Sequence, residues 1–520
     1  MGATSAGGKS TQPNATAAPV EQSRLGFLFA PVDVASLVVF RICFALVMLW
    51  HVGSYLTKGY IEYSYIAPRY HFTFFGFGWV RPWPDDGMIL HYYAMGVLAV
   101  MILVGLCYRL SMVLFFLAFT YTFLLEKTYY QNHYYLICLI SFLMIFLPTN
   151  RALSLDALLW PDLRSNVTPL WTVWLLRLQI GIPYTYGAIA KLNSDWLHGQ
   201  PVRSWLSTRG DLPLIGPYVG EDWLVYFIAH GGLLYDLLVV PMLLWKRTRV
   251  LAYVLTLAFH LPNSALWEIG VFPWFMIGAT TIFFSPGWPR SIWRIPGGPR
   301  VKKLEPAPRL SFLQRATVAF WGTYVALQLL IPFRHYLYPG NVSWTEEGHL
   351  FAWHMMLREK VCGLRFYARD PKTGSHWEVD PFEHLNYRQF SRIGKDADLM
   401  LQFSHYLSRQ LGTPGEKDIE IRAIDLVSLN VRKPQLLFDP QINLVTLERT
   451  LMPKKWIYPL TEPLRKEKWE VPFEDWEKAI LMEGPFGRSG EADRTDPASL
   501  GTQSLKPPKQ TGTEPGSPSG

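Results

Sequence analysis

The chain is built from long apolar runs that hold almost no acids or bases, separated by short connections rich in arginine and lysine. That blocking leaves few folds open. A helix of about 20 apolar residues crosses the ~30 Å hydrocarbon core of a bilayer, and a helix satisfies its own backbone there. Candidate spans fall at about 34–55, 90–107, 109–126, 133–150, 170–191, 223–245, 250–268, 270–284 and 313–332. The 270–284 run is short and reads either as a span or as a re-entrant segment, so eight or nine spans are expected. Charged residues make up 17% of the 520-residue chain, against roughly 25% in soluble domains.

Basic residues orient the bundle. Arg109, Arg151, Arg164, Lys246, Arg247 and Arg249 fall in connections on one side, as do Arg290, Arg294, Arg300, Lys302, Lys303 and Arg309. The positive-inside bias places the N-terminus in the cytoplasm. With nine spans, everything after Phe333 then lies in the lumen or periplasm, together with the mouth of any active site at that end. The net charge of +8 comes from these loops rather than from one face, so no nucleic-acid partner is expected.

The expected organisation is mainly α: a disordered tail over 1–30, a transmembrane domain over 31–332, a small α+β extramembrane domain over 333–485, and a disordered tail over 486–520. In the third region, 354–379 alternates around the turn Asp370-Pro-Lys-Thr-Gly374 as a hairpin does, 381–411 has helical spacing, and 419–429 alternates as a strand. Residues 1–24 have no hydrophobic core, so the first span is expected to direct insertion. Cys43, Cys107, Cys138 and Cys362 form no ligand spacing; they read as small buried hydrophobes, and no metal site is expected.

Polar residues inside the spans are the candidates for chemistry, because ionisable groups in a membrane bundle mark functional sites by default. Lys191 ends the run that begins at Val173. It is either a snorkelling anchor or a base, and burial would favour its neutral amine. Asp195, four residues on, would pair with it and oppose the base role if the helix continued. Asn132 and His133 open the fourth span, where His133 is either a helix cap or a functional group. His260 lies in the seventh, suited equally to interhelical bonding or catalysis. On this topology Lys191, His133 and His260 come to one side. Arg177 and Asp236 pair with each other or serve a substrate, and His230, in His230-Gly-Gly, is a weaker candidate.

Several motifs in order resemble the vitamin K-dependent gamma-carboxylases: Gly105-Leu-Cys-Tyr-Arg-Leu-Ser111, Phe123-Leu-Leu-Glu-Lys-Thr128, Gln131-Asn-His-Tyr-Tyr-Leu136, Ala190-Lys-Leu-Asn-Ser-Asp-Trp196, Phe259-His-Leu-Pro-Asn-Ser264 and Phe283-Phe-Ser-Pro-Gly-Trp-Pro-Arg290. The likeness continues through Trp353-His-Met-Met, Asp396-Ala-Asp and Phe438-Asp-Pro440 and covers about 31–480. The wider group is the HTTM membrane domain. The resemblance implies that reduced vitamin K, or a related quinol, reacts with O2 to give its 2,3-epoxide and a base strong enough to take a γ-proton from a peptide glutamate, which then captures CO2. It implies that Lys191 is the quinol base, that Asn132 and His133 lie at the glutamate, that His260 serves the oxygenation step, and that Tyr184 is a pocket tyrosine. Quinol binding would draw also on Arg177, His230 and Asp236.

The chain departs from the family pattern at Ala190, in place of the first lysine of a pair, at Asn193, in place of an acid, and at Pro262 after His260. Two other readings therefore stand beside the carboxylase: a quinol epoxidase or oxidoreductase without carboxylation, and a non-catalytic HTTM protein of lipid binding or export.

Overall fold

A computed structural model describes residues 24–212, 215–266, 270–294, 310–412, 419–481 and 485. Among them, a helix lies at each of the nine expected spans: α1 (Ala35–Thr57), α2 (Gly87–Val104), α3 (Tyr108–Leu125), α4 (Asn132–Phe146), α5 (Leu170–Lys191), α6 (Asp222–Leu244), α7 (Arg249–Leu266), α8 (Phe272–Thr280) and α9 (Phe312–Leu330). Five are long and apolar enough to cross a membrane by length and composition: α1, α2, α3, α6, and α9 with its 3-10 extension to Leu337. α4 and α8 are shorter. α5 carries Arg177, Gln179 and Lys191, and α7 carries Thr256, His260 and Asn263. The molecule is a polytopic helical membrane protein, with polar residues on α5 and α7 as well as on the long apolar helices.

Aromatic and aliphatic side chains fill the bundle. Phe44 meets Phe115 and Phe275 edge-on at 5.8 and 6.4 Å, and Tyr55 stacks on Tyr92 at 5.0 Å. Such offset and edge contacts suit ring quadrupoles. One end is held by polar groups instead. Arg41, fully buried on α1, donates to the carbonyls of Thr149, at 3.0 Å, and of Leu153. Asp156 accepts from the backbone N–H groups of Cys107 and Tyr108 at 2.7 and 2.9 Å and from Asn150 at 2.8 Å. The α2–α3 turn needs Gly105: its φ is +66°, and a Cβ there would lie 2.5 Å from Arg41 Nη1 and from Ser154 Cβ. Cys107, expected as a buried hydrophobe, is exposed in this turn at φ 44°. The chain reverses within a few residues there, and the side chain faces outward.

Residues 24–30, assigned to the N-terminal tail by sequence, form a turn and the 3-10 helix Gly26–Phe29 before β1 (Pro31–Asp33), which pairs antiparallel with β2 (Val167–Pro169). This two-stranded ribbon was not expected. The rest of that tail, and the tail over 486–520, lie outside the described residues.

The C-terminal region is a four-stranded antiparallel sheet in the order β4-β3-β5-β6, from β3 (Lys360–Arg369), β4 (His376–Val379), β5 (Glu420–Leu429) and β6 (Gln435–Leu436). The expected helical stretch divides into α10 (Tyr387–Ile393) and α11 (Ala397–Leu411). Asn386 starts the first through a capping box with Gln389, and Asp396 starts the second by accepting from the Asp398 N–H. α11 buries Leu399, Met400, Phe403 and Leu407, in one core with Phe366, Ile421 and Ala423 of the sheet. Asp425, buried on β5, has no hydrogen-bond partner at either carboxylate oxygen, and burial pushes its carboxyl well above the usual range.

Charged clusters seat this domain on the bundle. Lys127, in the α3–α4 connection, lies 2.7 Å from Asp396 and 2.8 Å from Asp398, which also accepts from Arg449 at 2.6 Å. Burial lowers the Lys127 pKa, but the two carboxylates outweigh it and the net shift is upward. Beyond α5, Asp195 takes two bonds from Arg432, at 2.6 and 2.8 Å, and one from Asn430 at 2.7 Å. Burial raises the Asp195 pKa, but these bonds hold it below the ordinary value.

Candidate functional site

The site begins with one face of α5. Tyr184, Gly187 or Ala188, and Lys191 recur at the helical spacing that stacks side chains on one side. Lys191 Nζ donates to Asp236 Oδ2 on α6 at 2.6 Å; the two residues are 7% and 5% exposed. The ammonium also lies 5.3 Å from the centroid of Trp196. Gly187 permits the close approach: a Cβ there would sit 3.2 Å from Asp236 Oδ2 and 3.3 Å from Met355 Cε, a side chain of the C-terminal region.

The pairing differs from both sequence expectations. Asp195 is not the partner of Lys191, because α5 ends there: Asn193 accepts from the Trp196 N–H at 3.0 Å and caps the short helix Ser194–Leu197, which turns Asp195 toward Arg432. Asn193, one of the departures from the family pattern, thus has a structural task. Arg177 is not the partner of Asp236. It donates to the carbonyls of Ile282 and Phe284 at 2.9 and 2.8 Å, in the segment that follows α8. It shares the face of Lys191 but stands 14 residues away, about 21 Å along the axis at ~1.5 Å per residue.

One turn or two below Lys191, the Tyr184 hydroxyl and His260 Nε2 are 2.9 Å apart. Tyr235, beside Asp236, meets Tyr184 edge-on at 5.9 Å and stacks on Phe259 at 4.3 Å. The buried Tyr235 and Thr280 hydroxyls sit beside the Tyr184 hydroxyl, and neither makes a well-formed hydrogen bond. Buried hydroxyls rarely stay without a well-formed hydrogen bond unless there is a reason, and a place for a ligand oxygen is one.

Phe272 connects this cluster to α4. Its ring lies 5.9 Å from His260 on one side and 5.5 Å from His133 on the other. His133 is buried against Phe272 and Tyr134 rather than capping its helix, whose N-cap is Gln131. Asn132 accepts from the Tyr130 hydroxyl at 3.0 Å and donates to the His354 carbonyl at 3.1 Å, which ties the start of α4 to the C-terminal region. Lys191, Asp236, Tyr184, His260, His133 and Asn132 therefore form one run of contacts. His230 stays apart: six residues before Asp236, it points about 120° around α6, stacks on Tyr226 and lies 3.3 Å from the Leu197 carbonyl.

Sequence reasoning missed Tyr235, Thr280 and Trp196, and it missed a second polar group beside His133. There Tyr55 and Tyr134 hydroxyls lie 3.2 Å apart, and with His51, Tyr65, Tyr92 and Glu126 they line a cavity offering about 10 Å³ to the centre of a water, room for about one molecule. His51 was legible, being an ionisable residue within a predicted span.

No solved structure matches the chain. A family model for the HTTM domain matches residues 29–288, and one for the lumenal domain of the vitamin K-dependent gamma-carboxylase matches residues 313–463. The first covers α1 through α8 with the buried Lys191–Asp236 and Tyr184–His260 pairs; the second covers α9 and most of the sheet domain. The chain belongs to the HTTM family and is a gamma-carboxylase-like member of it.

Proposed function

We propose that the protein is a quinol-driven glutamyl carboxylase, in which Lys191 is the base toward the quinol hydroxyl and the C-terminal domain presents a peptide glutamate to His133 and Asn132. Lys191–Asp236 beside Tyr184–His260, with the Tyr235 and Thr280 hydroxyls next to them, is the observation that carries this reading. The residues suit such a ligand: the Tyr235 and Thr280 hydroxyls lack a well-formed hydrogen bond and can turn to its oxygens, and Phe259 and Phe272 offer apolar walls. When bound, a reduced naphthoquinone with O2 supplies a base far stronger than any side chain. Over the cycle, quinol, O2, CO2 and glutamate give epoxide, carboxyglutamate, one water and one proton.

The chain's own part is to place protons and exclude water. Away from water, an ion pair loses solvation that a neutral pair does not need, so passing the Lys191 proton to Asp236 costs less here than at a surface. Lys191 then presents an amine, and Asp236 sets its protonation. Tyr184 and His260 hold one further proton between them at 2.9 Å. The dry aromatic walls keep a strong base from being quenched. Arg177 braces α5, and His230 takes no part. In this reading the N-terminus is cytoplasmic and the sheet domain lumenal or periplasmic.

The test is Lys191→Arg in membranes given vitamin K hydroquinone, O2, labelled bicarbonate and a Glu-containing peptide. Arginine keeps the charge and can still meet Asp236, but it does not deprotonate in proteins. We expect label incorporation and epoxide in the wild type and neither in the variant. Retained turnover in Lys191→Arg removes the base role. Epoxide without label in the wild type leaves a quinol epoxidase, and neither product sinks the enzymatic reading.

A further inference from the structure

The loop between α1 and α2 and one loop of the C-terminal domain share an apolar rim that no other described part of the chain covers. Phe75, Phe77, Trp79 and Trp83 are exposed in the first, and Leu451 and Met452 in the second; Trp79, Leu451 and Met452 are 76%, 61% and 69% exposed.

Two sets of contacts fix the height of this rim. Trp83 packs 5.4 Å from Tyr121, whose hydroxyl donates to the Arg81 carbonyl at 2.6 Å, and Phe74 stacks on Phe123 at 5.3 Å. Tyr121 and Phe123 belong to the last turns of α3, so this loop lies where a membrane-crossing helix ends. Arg449 then joins the two loops: its guanidinium lies 5.7 Å from the Phe75 ring and bonds to Thr73 Oγ1 at 3.3 Å. Two residues on, the Leu451 carbonyl accepts from the Tyr338 hydroxyl at 2.9 Å, and Tyr338 directly follows the 3-10 extension of α9. Leu451 and Met452 are thus pinned between the ends of two spanning helices. Exposed Lys455 and Arg81 flank the apolar tips.

We propose that this rim enters the phospholipid leaflet on the side of the C-terminal domain, with Leu451, Met452 and Trp79 at the headgroup–acyl boundary and Lys455 and Arg81 toward lipid phosphates. Aromatic residues favour that depth, and apolar tips flanked by cations bind such a surface. Continuity with the lipid-facing ends of α3 and α9, together with the flanking cations, identifies the occupant as lipid. The sheet domain is then held by the bilayer as well as by its charged seam.

The test uses the full chain in phospholipid nanodiscs, in a Cys107→Ser background because Cys107 is exposed. Single Met452→Cys, Leu451→Cys and Trp79→Cys variants carry a small fluorophore, and Lys372→Cys, in the exposed β3–β4 turn, is the control. We expect lipids brominated on the acyl chain to quench the three rim sites several-fold more than the control, with aqueous iodide showing the reverse order. Equal iodide quenching at the rim and at 372 overturns the proposal. Protection from both quenchers also overturns it, since the rim is then covered by protein, for instance a second copy of the chain. The three positions are already exposed, so labelling them leaves the core unchanged.

Discussion

Both the seam between bundle and sheet domain and the cleft between α5, α6 and α7 contain buried charge, yet they arrange it in opposite ways. At the seam each ion has more than one partner: Lys127 meets two carboxylates, Asp398 meets Lys127 and Arg449, and Asp195 takes three bonds. In the cleft Lys191 has one carboxylate, and the Tyr235 and Thr280 hydroxyls nearby make no well-formed hydrogen bond. A saturated network fixes geometry. A lone pair beside loosely held hydroxyls leaves room for a ligand and for a proton to move.

The largest effect expected from that contrast is on turnover. Asp236→Asn keeps a polar contact to Lys191 but removes its proton acceptor, and activity should fall by ~10²–10⁴-fold, the range of a lost acid–base group. Near-normal turnover in that variant would make the cleft pair structural, like the seam. Next is the seam itself. Lys127→Met strips Asp396 of its cation and Asp195→Ala strips Arg432 of its carboxylate, and breaking such a buried pair costs ~3–5 kcal/mol. The readout is proteolysis of the sheet domain in the full chain, and protection equal to wild type would break the comparison.

Acid should loosen the domain beside the seam. Burial raises the Glu346 pKa, but Arg358, His349 and Lys360 outweigh it and bring the carboxyl from 4.5 to about 2. Its stabilisation is complete above pH 4.5 and is lost as pH falls toward about 2. Glu346→Gln should flatten that acid limb in unfolding titrations. A second pH effect, of opposite sign, is at Asp425. Its raised pKa means that, as pH rises above the ordinary 3.8, the unfolded chain ionises while the folded one keeps its proton. Stability therefore falls as pH rises from 3.8 to the folded pKa, and Asp425→Asn should remove that decline. An unchanged slope would show that another group titrates there.

The spans were legible because apolar runs of this length have few other uses, and the β3–β4 hairpin was legible from its alternation and turn. Lys191, His260 and His133 stood out as polar residues in apolar surroundings. Their partners did not. Whether Lys191 meets Asp195 or Asp236 depends on where α5 stops, and Asn193 decides that by capping the next helix. Tyr235 was hidden among 26 tyrosines, and its importance comes only from a neighbour on another helix. The division of α10 from α11 rests on two side-chain caps that periodicity alone passes over.

Arg41 carries a consequence for how the chain is made. It lies in α1, which leaves the ribosome before α2, α3 and α4, but the carbonyls it binds come 108 and 112 residues later. Until Leu153 has been synthesised and folded back, α1 holds an uncovered cation, disfavoured by up to about 2.5–3.5 kcal/mol at a bilayer's centre. The first helix should therefore stay beside the insertion machinery, or tilt its arginine toward the surface, until the fourth helix is in place. Biogenesis of the bundle would then proceed by four-helix delivery rather than one helix at a time.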